Sequence, residues 1–241
     1  MKIYGKTDTG VVRDNNQDSF KIITKDNLSL CIVCDGMGGA AGGSTASNTA
    51  CEAFAEYVFE RIPEGPESFS EILEAAVSYA NHKVYTLSKE RRDLAGMGTT
   101  LCAILTDNKK IWGVSVGDSR IYMLKSNQLI QISHDHSYVQ VLVDSGAITK
   151  EEGRTHPKKN IITRAVGTSS SVECDSYVTE TLADAYLICS DGLTGFVTDE
   201  EIRSVFGEYP ENPEKIADTL VDMANTAGGG DNITVLIMIS D

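Results

Sequence analysis

Residues 99–133, TTLCAILTDNKKIWGVSVGDSRIYMLKSNQLIQIS, contain the pattern that decides the fold. Apolar runs of strand length alternate here with short polar breaks. Two of these breaks, Asn108-Lys109 and Ser126-Asn127, have the size and composition of tight hairpin turns. Because strands joined by such turns pair with their neighbours in opposite directions, the stretch predicts an antiparallel sheet.

Helical patterns occur in pairs on either side of these strands. Apolar residues recur at helical spacing over residues 44–62, which PEGP at 63–66 ends, and over residues 68–90, 198–206 and 213–226. Further strands are predicted at residues 3–8, at 20–34 with a turn at 25–27, near 161–166, 174–180 and 184–190, and at 232–240. Paired helices with antiparallel strands predict a layered α+β fold rather than a doubly wound parallel sheet.

Composition limits the possible classes of protein. The chain has 241 residues, of which 41% are hydrophobic, and it contains no linker-like tract, so we expect a single domain over residues 1–241. Its formal net charge of -14 disfavours binding of nucleic acid. No segment resembles a membrane span or a signal peptide, and we therefore expect a soluble cytoplasmic protein without membrane insertion.

The six cysteines fit reduced thiols in a protein core, because most of them stand inside apolar runs. Cys31 and Cys34 form a Cys-x-x-Cys pair within CIVCDGMGGAAGG (31–43), but no second pair completes a zinc site. The same segment has the Gly-x-Gly-x-x-Ala spacing of nucleotide-binding loops. A dinucleotide fold would need a strand after the next helix, where the sequence predicts a second helix instead.

Four apolar strands, or the turns beside them, carry an aspartate next to a small residue: Asp35, Asp118, Asp191 and Asp231. A single Asp-Gly pair often makes only a turn. Four carboxylates brought together would repel one another unless a cation lay between them, and all-oxygen ligands suit Mg²⁺ or Mn²⁺ better than zinc. Arg13, five positions before Asp18, supplies a planar cation that suits a phosphate group. Converging strand ends would therefore form a metal site for a phosphate substrate.

A set of short motifs, which follow one another in chain order, carries a family resemblance. They are RDNNQD (13–18), DGMGG (35–39), GTT (98–100), GDSR (117–120), DHS (135–137), THP (155–157), ITRAVG (162–167), SDGL (190–193) and GGGDNIT (228–234). Together they resemble the bacterial PPM family, the PP2C-type metal-dependent protein serine/threonine phosphatases. The resemblance implies a four-layer α-β-β-α sandwich of two antiparallel sheets between helical layers. It also implies hydrolysis of phosphoserine and phosphothreonine in proteins.

By the same resemblance, two core ions, Mn²⁺ or Mg²⁺, would be bound at one end of the sandwich. Asp35 would bridge them, and the Gly36 carbonyl would bind the second ion. Asp191 and Asp231 would complete the first, and Asp18 would reach the second through water. Water shared by the two ions would then attack phosphorus directly, without a phosphoenzyme.

Further roles and partners are also implied by resemblance. Asp118 with Asp191 matches a third, weaker metal site, Arg13 a phosphate clamp, and Asn232 a residue that orients a carboxylate or a ligand water. Phosphorylated proteins would be the substrates, and a cognate serine/threonine kinase is the expected counterpart. We expect a monomer.

Residues 137–164 correspond to the family's flap over the substrate channel. Four basic residues of this segment stand out in an acidic chain: Arg154, His156, Lys158 and Lys159. Their charge and the loop-like composition predict a mobile segment that helps to select phosphoprotein substrates.

The chain departs from its relatives near the predicted metals. Met37 and Ala40 stand where relatives have histidines, one of them a proposed general acid, so the proton donor to the leaving group is unassigned. Gln17 replaces a frequent Glu, which lowers the negative charge near the second metal. His134 and His136 are expected to make structural hydrogen bonds.

Two alternatives follow from the carboxylates alone. Another metal-dependent phosphoesterase, acting on nucleotides or small phosphates, would need a similar cluster, and only the family resemblance disfavours it. A non-catalytic binding module of the same fold is disfavoured by the intact set of Arg13, Asp35, Asp191 and Asp231.

Overall fold

A computed structural model describes residues 1–39, 41–62, 68–179 and 182–240 of the chain. The strands are β1 (Lys2–Asp8), β2 (Asp18–Lys25), β3 (Leu28–Met37), β4 (Gly98–Thr99), β5 (Leu101–Thr106), β6 (Ile111–Val116), β7 (Arg120–Lys125), β8 (Gln128–Gln131), β9 (Asp175–Thr179), β10 (Ala185–Cys189) and β11 (Ile233–Ile239). The helices are α1 (Gly42–Arg61), α2 (Phe69–Glu90), α3 (Tyr138–Asp144), α4 (Lys150–Arg154), α5 (Asp191–Thr194), α6 (Asp199–Glu208) and α7 (Pro213–Thr226).

The strands form two sheets, and every strand pair in the described ranges is antiparallel, as predicted. One sheet has the order β1-β11-β10-β7-β8. The other has the order β2-β3-β5-β6-β9, with β4 paired to the end of β3. Helices α5, α6 and α7 pack on the first sheet, and α1 and α2 pack on the second. The result is the four-layer α-β-β-α sandwich that the motifs implied.

Strand β3 shows how one apolar run serves two cores. Leu30, Ile32 and Cys34 face the core beneath α1 and α2, whereas Cys31 and Val33 face the core between the two sheets. Burial of one such Leu or Ile side chain stabilises the fold by about 1.5–3 kcal/mol. Because Cys31 and Cys34 point into different cores, the Cys-x-x-Cys pair cannot hold one metal ion. All six cysteines are free thiols, as expected.

Both predicted hairpins are present, with the Ser126-Asn127 turn as short as predicted, whereas β5 and β6 are joined by four residues, 107–110, that include Asn108-Lys109. Ser126 and Asn127, between β7 and β8, both have positive φ angles of 51° and 60°, and Asn108, between β5 and β6, has a φ of 65°. Two consecutive residues with positive φ match the twist of the strands that they connect, and asparagine tolerates this conformation better than most residues.

The four predicted helices are confirmed, and their ends lie within two residues of the predicted bounds. Helix α7 begins with Pro213 after Asn212, whose side-chain oxygen accepts a hydrogen bond of 3.0 Å from the Lys215 amide. Such a capping oxygen satisfies an amide that has no partner within the helix. The PEGP segment at 63–66 lies outside the described residues.

The predicted strand at 161–166 is wrong. This segment makes only isolated bridges, from Ile162 to Ser137 and from Val166 to Thr99. Its partners belong to two different segments of the chain, so no continuous ladder can form, although the residue pattern of the segment resembles that of a strand.

The flap segment, residues 137–164, contains two short helices where its composition suggested loop. Ser137 caps α3 by accepting a hydrogen bond of 3.1 Å from the Gln140 amide. Thr149 caps α4 through a capping box with Glu152. None of the helices in the described ranges has both the length and the hydrophobicity needed to cross a membrane.

Candidate metal centre

A cleft of about 610 Å³ opens where strand ends of both sheets meet. Four of the predicted aspartates line it: Asp35, Asp118, Asp191 and Asp231. Asp35 comes from the end of β3, Asp118 from the turn between β6 and β7, Asp191 from the start of α5, and Asp231 from the loop before β11. The structure therefore brings together the carboxylates that the sequence placed at separate strand ends.

Asp35 is held in position by the GTT motif. Its amide donates to Thr100 Oγ1 at 2.9 Å, and its carbonyl oxygen accepts from the Thr100 amide and from Thr99 Oγ1, both at 2.8 Å. Thr100 Oγ1 in turn lies 2.7 Å from Ser119 Oγ, next to Asp118. This hydroxyl pair links the strand end of Asp35 to the turn that carries Asp118.

Gly36 must be a glycine because the chain is tightly packed at this point. A Cβ atom there would collide with the carbonyl oxygens of Gly43 and Gln17. The Gly36 amide donates to the Gln17 carbonyl at 3.2 Å, which joins β3 to the segment before β2. The predicted Asp35-Gly36 pair thus has a steric reason that a simple turn would not have.

Asp18 lies opposite Asp35 in the β2–β3 register and is 8% exposed. Its Oδ2 atom accepts hydrogen bonds of 2.7 Å from the hydroxyls of both Ser190 and Thr234. Its Oδ1 atom is buried and has no hydrogen-bond partner among the described residues. Burial raises the pKa of Asp18 to about 7, against the effect of the two hydroxyls and with further repulsion from Asp191 and Asp231.

The other carboxylates are also unfavourable as free anions. Burial raises the pKa of Asp35 well above its usual range, and repulsion from Asp18 and Asp191 adds to this effect. Burial and then Asp191 raise the pKa of Asp118 in the same way. Burial and then Asp231 raise the pKa of Asp191, while a hydrogen bond with Asp35 opposes the rise. Only positive charge would stabilise all of these groups as anions together.

The donor set fits hard divalent cations. All candidate ligands are oxygen atoms, and the unpartnered Asp18 oxygen is the kind of buried acceptor that a cation or its water would satisfy. Among the described residues, no group of three or more His, Cys, Asp and Glu side chains stands in the arrangement of a metal site as it is. Binding of an ion would therefore require these carboxylates to adjust their positions.

Arg13 lies at the rim of the cleft, and about half of its side chain is exposed. Its Nη2 atom forms an ion pair with Asp231 Oδ2 at 2.9 Å, and its Nε atom donates to the Gly230 carbonyl at 3.3 Å. The Arg13 guanidinium thus lies beside the carboxylate cluster, where a phosphate clamp was predicted, but it is already paired with one of the carboxylates.

Gln17 and Asn232 have structural partners that sequence reasoning missed. The Gln17 side-chain amide donates to the carbonyls of Gly39 and Gly38 at 3.2 and 3.4 Å, a role that a glutamate could not fill. Asn232 was expected to orient a carboxylate or a water. Its backbone amide does donate to the neighbouring carboxylate, at 2.9 Å from Asp231 Oδ1. Its side chain accepts from the Gln17 amide at 2.8 Å and donates to the carbonyl oxygens of Thr9 and Asn15. Asn232 therefore holds the loop that carries Arg13.

One of the two positions that lack the family's histidines lies in the cleft. Met37 lines the cleft with a half-buried side chain. Ala40 lies outside the described residues. Asn160 and Ile162 also line the cleft, and neither was a predicted site residue: Asn160 lies in the flap segment, and Ile162 lies in the segment that was assigned to a strand.

The basic residues of the flap segment are divided by the structure. Arg154 and Lys159 line a second cavity, of about 390 Å³, which shares Asp118 and Asp191 with the cleft. Lys158 instead places its ammonium group 5.2 Å from the ring centre of Tyr138. The ring of His156 lies 6.1 Å from the same tyrosine. Two of the four predicted flap residues therefore line this second cavity, and none of the four lines the cleft itself.

Comparisons with known proteins agree with this fold. The family model described as protein phosphatase 2C matches residues 11–225. The serine/threonine phosphatase stp of Listeria monocytogenes serotype 4b is 38% identical over 242 residues, which cover 98% of this chain and 94% of that protein.

Two solved structures are similar over nearly their whole length. Serine/threonine phosphatase Stp1 from Staphylococcus aureus superposes with a TM-score of 0.94 at 33% identity and covers 100% of this chain and 95% of its own. The catalytic domain of the serine/threonine protein phosphatase PstP, in complex with two manganese ions, gives a TM-score of 0.85 at 37% identity, over 98% of this chain and 96% of that one. The chain belongs to the protein phosphatase 2C family, among its bacterial PPM-type members.

Proposed function

We propose that this phosphatase hydrolyses phosphoserine and phosphothreonine in proteins, with water activated at a binuclear Mn²⁺ or Mg²⁺ centre. One observation carries the proposal: four aspartates from both sheets line one cleft, with Arg13 at its rim. Buried carboxylates in such number suit divalent ions, and the adjacent guanidinium suits the phosphate of a substrate.

The residues proposed to hold the ions are oxygen donors near strand ends: Asp18, Asp35, Gly36, Asp118, Asp191 and Asp231. Asp35 would bridge the two core ions, and Asp118 would contribute to a third, weaker site. When bound, the ions would supply a nucleophilic water of lowered pKa and positive charge opposite the phosphate oxygens.

The side chains of the protein itself bind and orient. Arg13 would hold two phosphate oxygens with its planar guanidinium, while its bond to the Gly230 carbonyl fixes the direction of the side chain. Ser190 and Thr234 keep one oxygen of Asp18 occupied, so that the other is directed to a ligand. Met37 has no proton to donate, and the leaving alkoxide must therefore take its proton from another group.

The organisation of the protein forms part of the proposal. Residues 1–241 would be one phosphatase domain, with the flap segment (137–164) as a mobile subdomain that helps to select phosphoproteins. The monomer would act in the cytoplasm and oppose a serine/threonine kinase.

The decisive experiment measures phosphate release from a phosphothreonine peptide with Mn²⁺ or Mg²⁺. We expect turnover with either ion and none after chelation. Asp191→Asn, which keeps the size of the side chain, should lower kcat/KM by about 100-fold or more with an unchanged circular dichroism spectrum.

The controls address the two alternatives. Faster hydrolysis of a nucleotide than of the phosphopeptide would favour a phosphoesterase for small substrates. Absence of phosphate release from every substrate with both ions would favour a binding module without catalysis. A phosphotyrosine peptide tests the preference for serine and threonine.

A further inference from the structure

His136 makes a reciprocal pair of hydrogen bonds with Gly117, the residue before Asp118. Its backbone amide donates to the Gly117 carbonyl at 2.9 Å, and its Nδ1 atom accepts from the Gly117 amide at 3.1 Å. His136 is 5% exposed, so both bonds are protected from water. Both polar groups of one backbone residue in the turn between β6 and β7 are thus bound by a single histidine.

The other edge of the ring is fixed by a carboxylate. His136 Nε2 lies 3.2 Å from Asp175 Oδ2, at the start of β9. Because Nδ1 accepts from an amide, these hydrogen bonds assign the ring proton to Nε2, which donates to Asp175. Arg164 Nη1 lies 3.2 Å from Asp175 Oδ1 and 3.1 Å from His136 Nε2. Because a guanidinium can only donate, Asp175 is the acceptor for both groups, and the positive charge of Arg164 stands beside the carboxylate. The ring is therefore held in one orientation and one tautomer.

The same residue joins the turn to the base of the flap segment. The His136 carbonyl accepts from the Thr163 amide at 2.7 Å, and Tyr138 donates to the Ile161 carbonyl at 2.8 Å. Both ends of the flap segment are thus paired with each other at the position of His136. A shift of either the flap base or the β6–β7 turn would therefore alter the hydrogen bonds of His136.

The turn has little freedom of its own. Gly117 has a φ of +100°, a conformation that only glycine adopts easily. Asp118, which follows it, lines both the cleft and the second cavity. The direction of the Asp118 carboxylate therefore depends on what holds the backbone of Gly117. His136 binds both the amide and the carbonyl of that residue.

We infer that His136, oriented by Asp175, is a positioning residue that fixes the Gly117–Asp118 turn and so sets the affinity for a cation bound through Asp118. The inference rests on the proposed function, in which Asp118 is a metal ligand. His136 itself is outside the proposed set of metal ligands. It is held in place by the hydrogen bonds at the base of the flap segment.

The test exploits the two different nitrogens of the ring. Asparagine can place its side-chain oxygen near the position of Nδ1 and still accept from Gly117, whereas glutamine reaches the position of Nε2 instead. The measurement is direct binding of Mn²⁺, followed as loss of the free-ion signal in electron paramagnetic resonance. We expect H136Q to weaken the weakest Mn²⁺ site by about tenfold or more, as loss of a residue that orients a metal ligand typically does. H136N should stay within about threefold of wild type.

His134 supplies the matched control. It lies two residues away in the same segment, is about half exposed and pairs with Asp144 at 3.0 Å, so H134Q should leave Mn²⁺ binding unchanged. If H136Q is folded and binds Mn²⁺ as wild type does, the inference is overturned while the proposed function stands. If the wild-type protein binds no Mn²⁺, both fall.

A second pair of variants keeps the test decisive if H136Q does not fold. D175A removes the carboxylate that orients the ring and should weaken the same Mn²⁺ site, whereas D175N can still accept from Nε2 and should rescue it. Equal Mn²⁺ affinities for D175A, D175N and wild type would contradict the positioning role of His136.

Discussion

Asp18 binds two hydroxyls with one carboxylate oxygen and leaves the other without a hydrogen-bond partner among the described residues. Ser190 and Thr234 donate to Oδ2, and Thr234 is itself bonded to Thr7 at 2.7 Å. A carboxylate with one satisfied and one unsatisfied oxygen has a fixed direction, which a freely rotating side chain would lack. If Asp18 binds an ion as proposed, hydrogen bonding already fixes one end of its carboxylate.

Substitution of Arg13 should separate phosphate binding from stability. We expect R13A to lower kcat/KM on a phosphothreonine peptide by about 100-fold, because a positioned donor to the transition state is lost. R13K should recover only part of this, since an ammonium group cannot make the two parallel bonds of the guanidinium. Steady-state kinetics on the peptide gives both values.

The control for Arg13 is thermal unfolding. Its ion pair with Asp231 is partly exposed and should stabilise the fold by no more than about 1 kcal/mol. The melting temperature should therefore change little. A large fall in melting temperature that parallels the loss of activity would identify Arg13 as a structural anchor instead.

Residue types and strand ends reveal the candidate ligands in the sequence, but not the groups that support them. Asp35 and Asp191 follow apolar runs and Asp231 precedes one, which local pattern detects. The bonds from Ser190 and Thr234 to Asp18 span 172 and 216 positions of the chain. Such contacts arise only when the sheets assemble, so no local signal shows that these hydroxyls orient Asp18.

Elements with local causes were predicted best. The hairpin turns and helix ends depend on residues such as Asn127, Pro213 and Asn212, whose conformational preferences act within a few positions. The error at 161–166 has the opposite origin. That segment closes the base of the flap and bridges to two separate segments, which its own residues do not reveal.

The flap segment offers a matched pair of lysines for a test of substrate selection. Lys159 lines the cavity that contains Asp191, whereas Lys158 lies over the Tyr138 ring. We expect K159Q to lower kcat/KM on a phosphopeptide by about tenfold, equivalent to about 1.4 kcal/mol of transition-state stabilisation, and more than on a small aryl phosphate. K158Q should have a much smaller effect on either substrate. Equal losses for both variants, or on both substrates, would argue against selection through this cavity.

At the scale of the whole molecule, the candidate ligands come from both sheets. Asp18 and Asp35 belong to β2 and β3 of one sheet, whereas Asp191 and Asp231 flank β10 and β11 of the other. Ions bound among them would connect the two halves of the sandwich. Such binding should stabilise the native state, because an unfolded chain cannot present these groups together.

Removal of metal should therefore lower the melting temperature. An ion at 100 times its dissociation constant adds about 2.7 kcal/mol, and for a chain of this size each kcal/mol corresponds to about 2–4 °C. We expect Mn²⁺ to raise the melting temperature by about 5 °C or more over the chelated protein, and Asp191→Asn to reduce this shift. Calorimetry with and without chelator provides the measurement. An identical melting temperature in both conditions would contradict an ion shared between the sheets.

The Gly117–Asp118 turn is also a crossing point between layers, since β6 lies in one sheet and β7 in the other. The loop that carries Arg13 makes a similar crossing from β1 to β2. The candidate site is thus formed in part by loops that connect the two sheets. Side chains buried between the sheets, such as Ile188 and Leu236, set how far apart these loops stand. A change in the packing of these side chains would displace Arg13 relative to Asp118. Substitutions between the sheets would therefore alter the proposed catalysis without contacting a substrate.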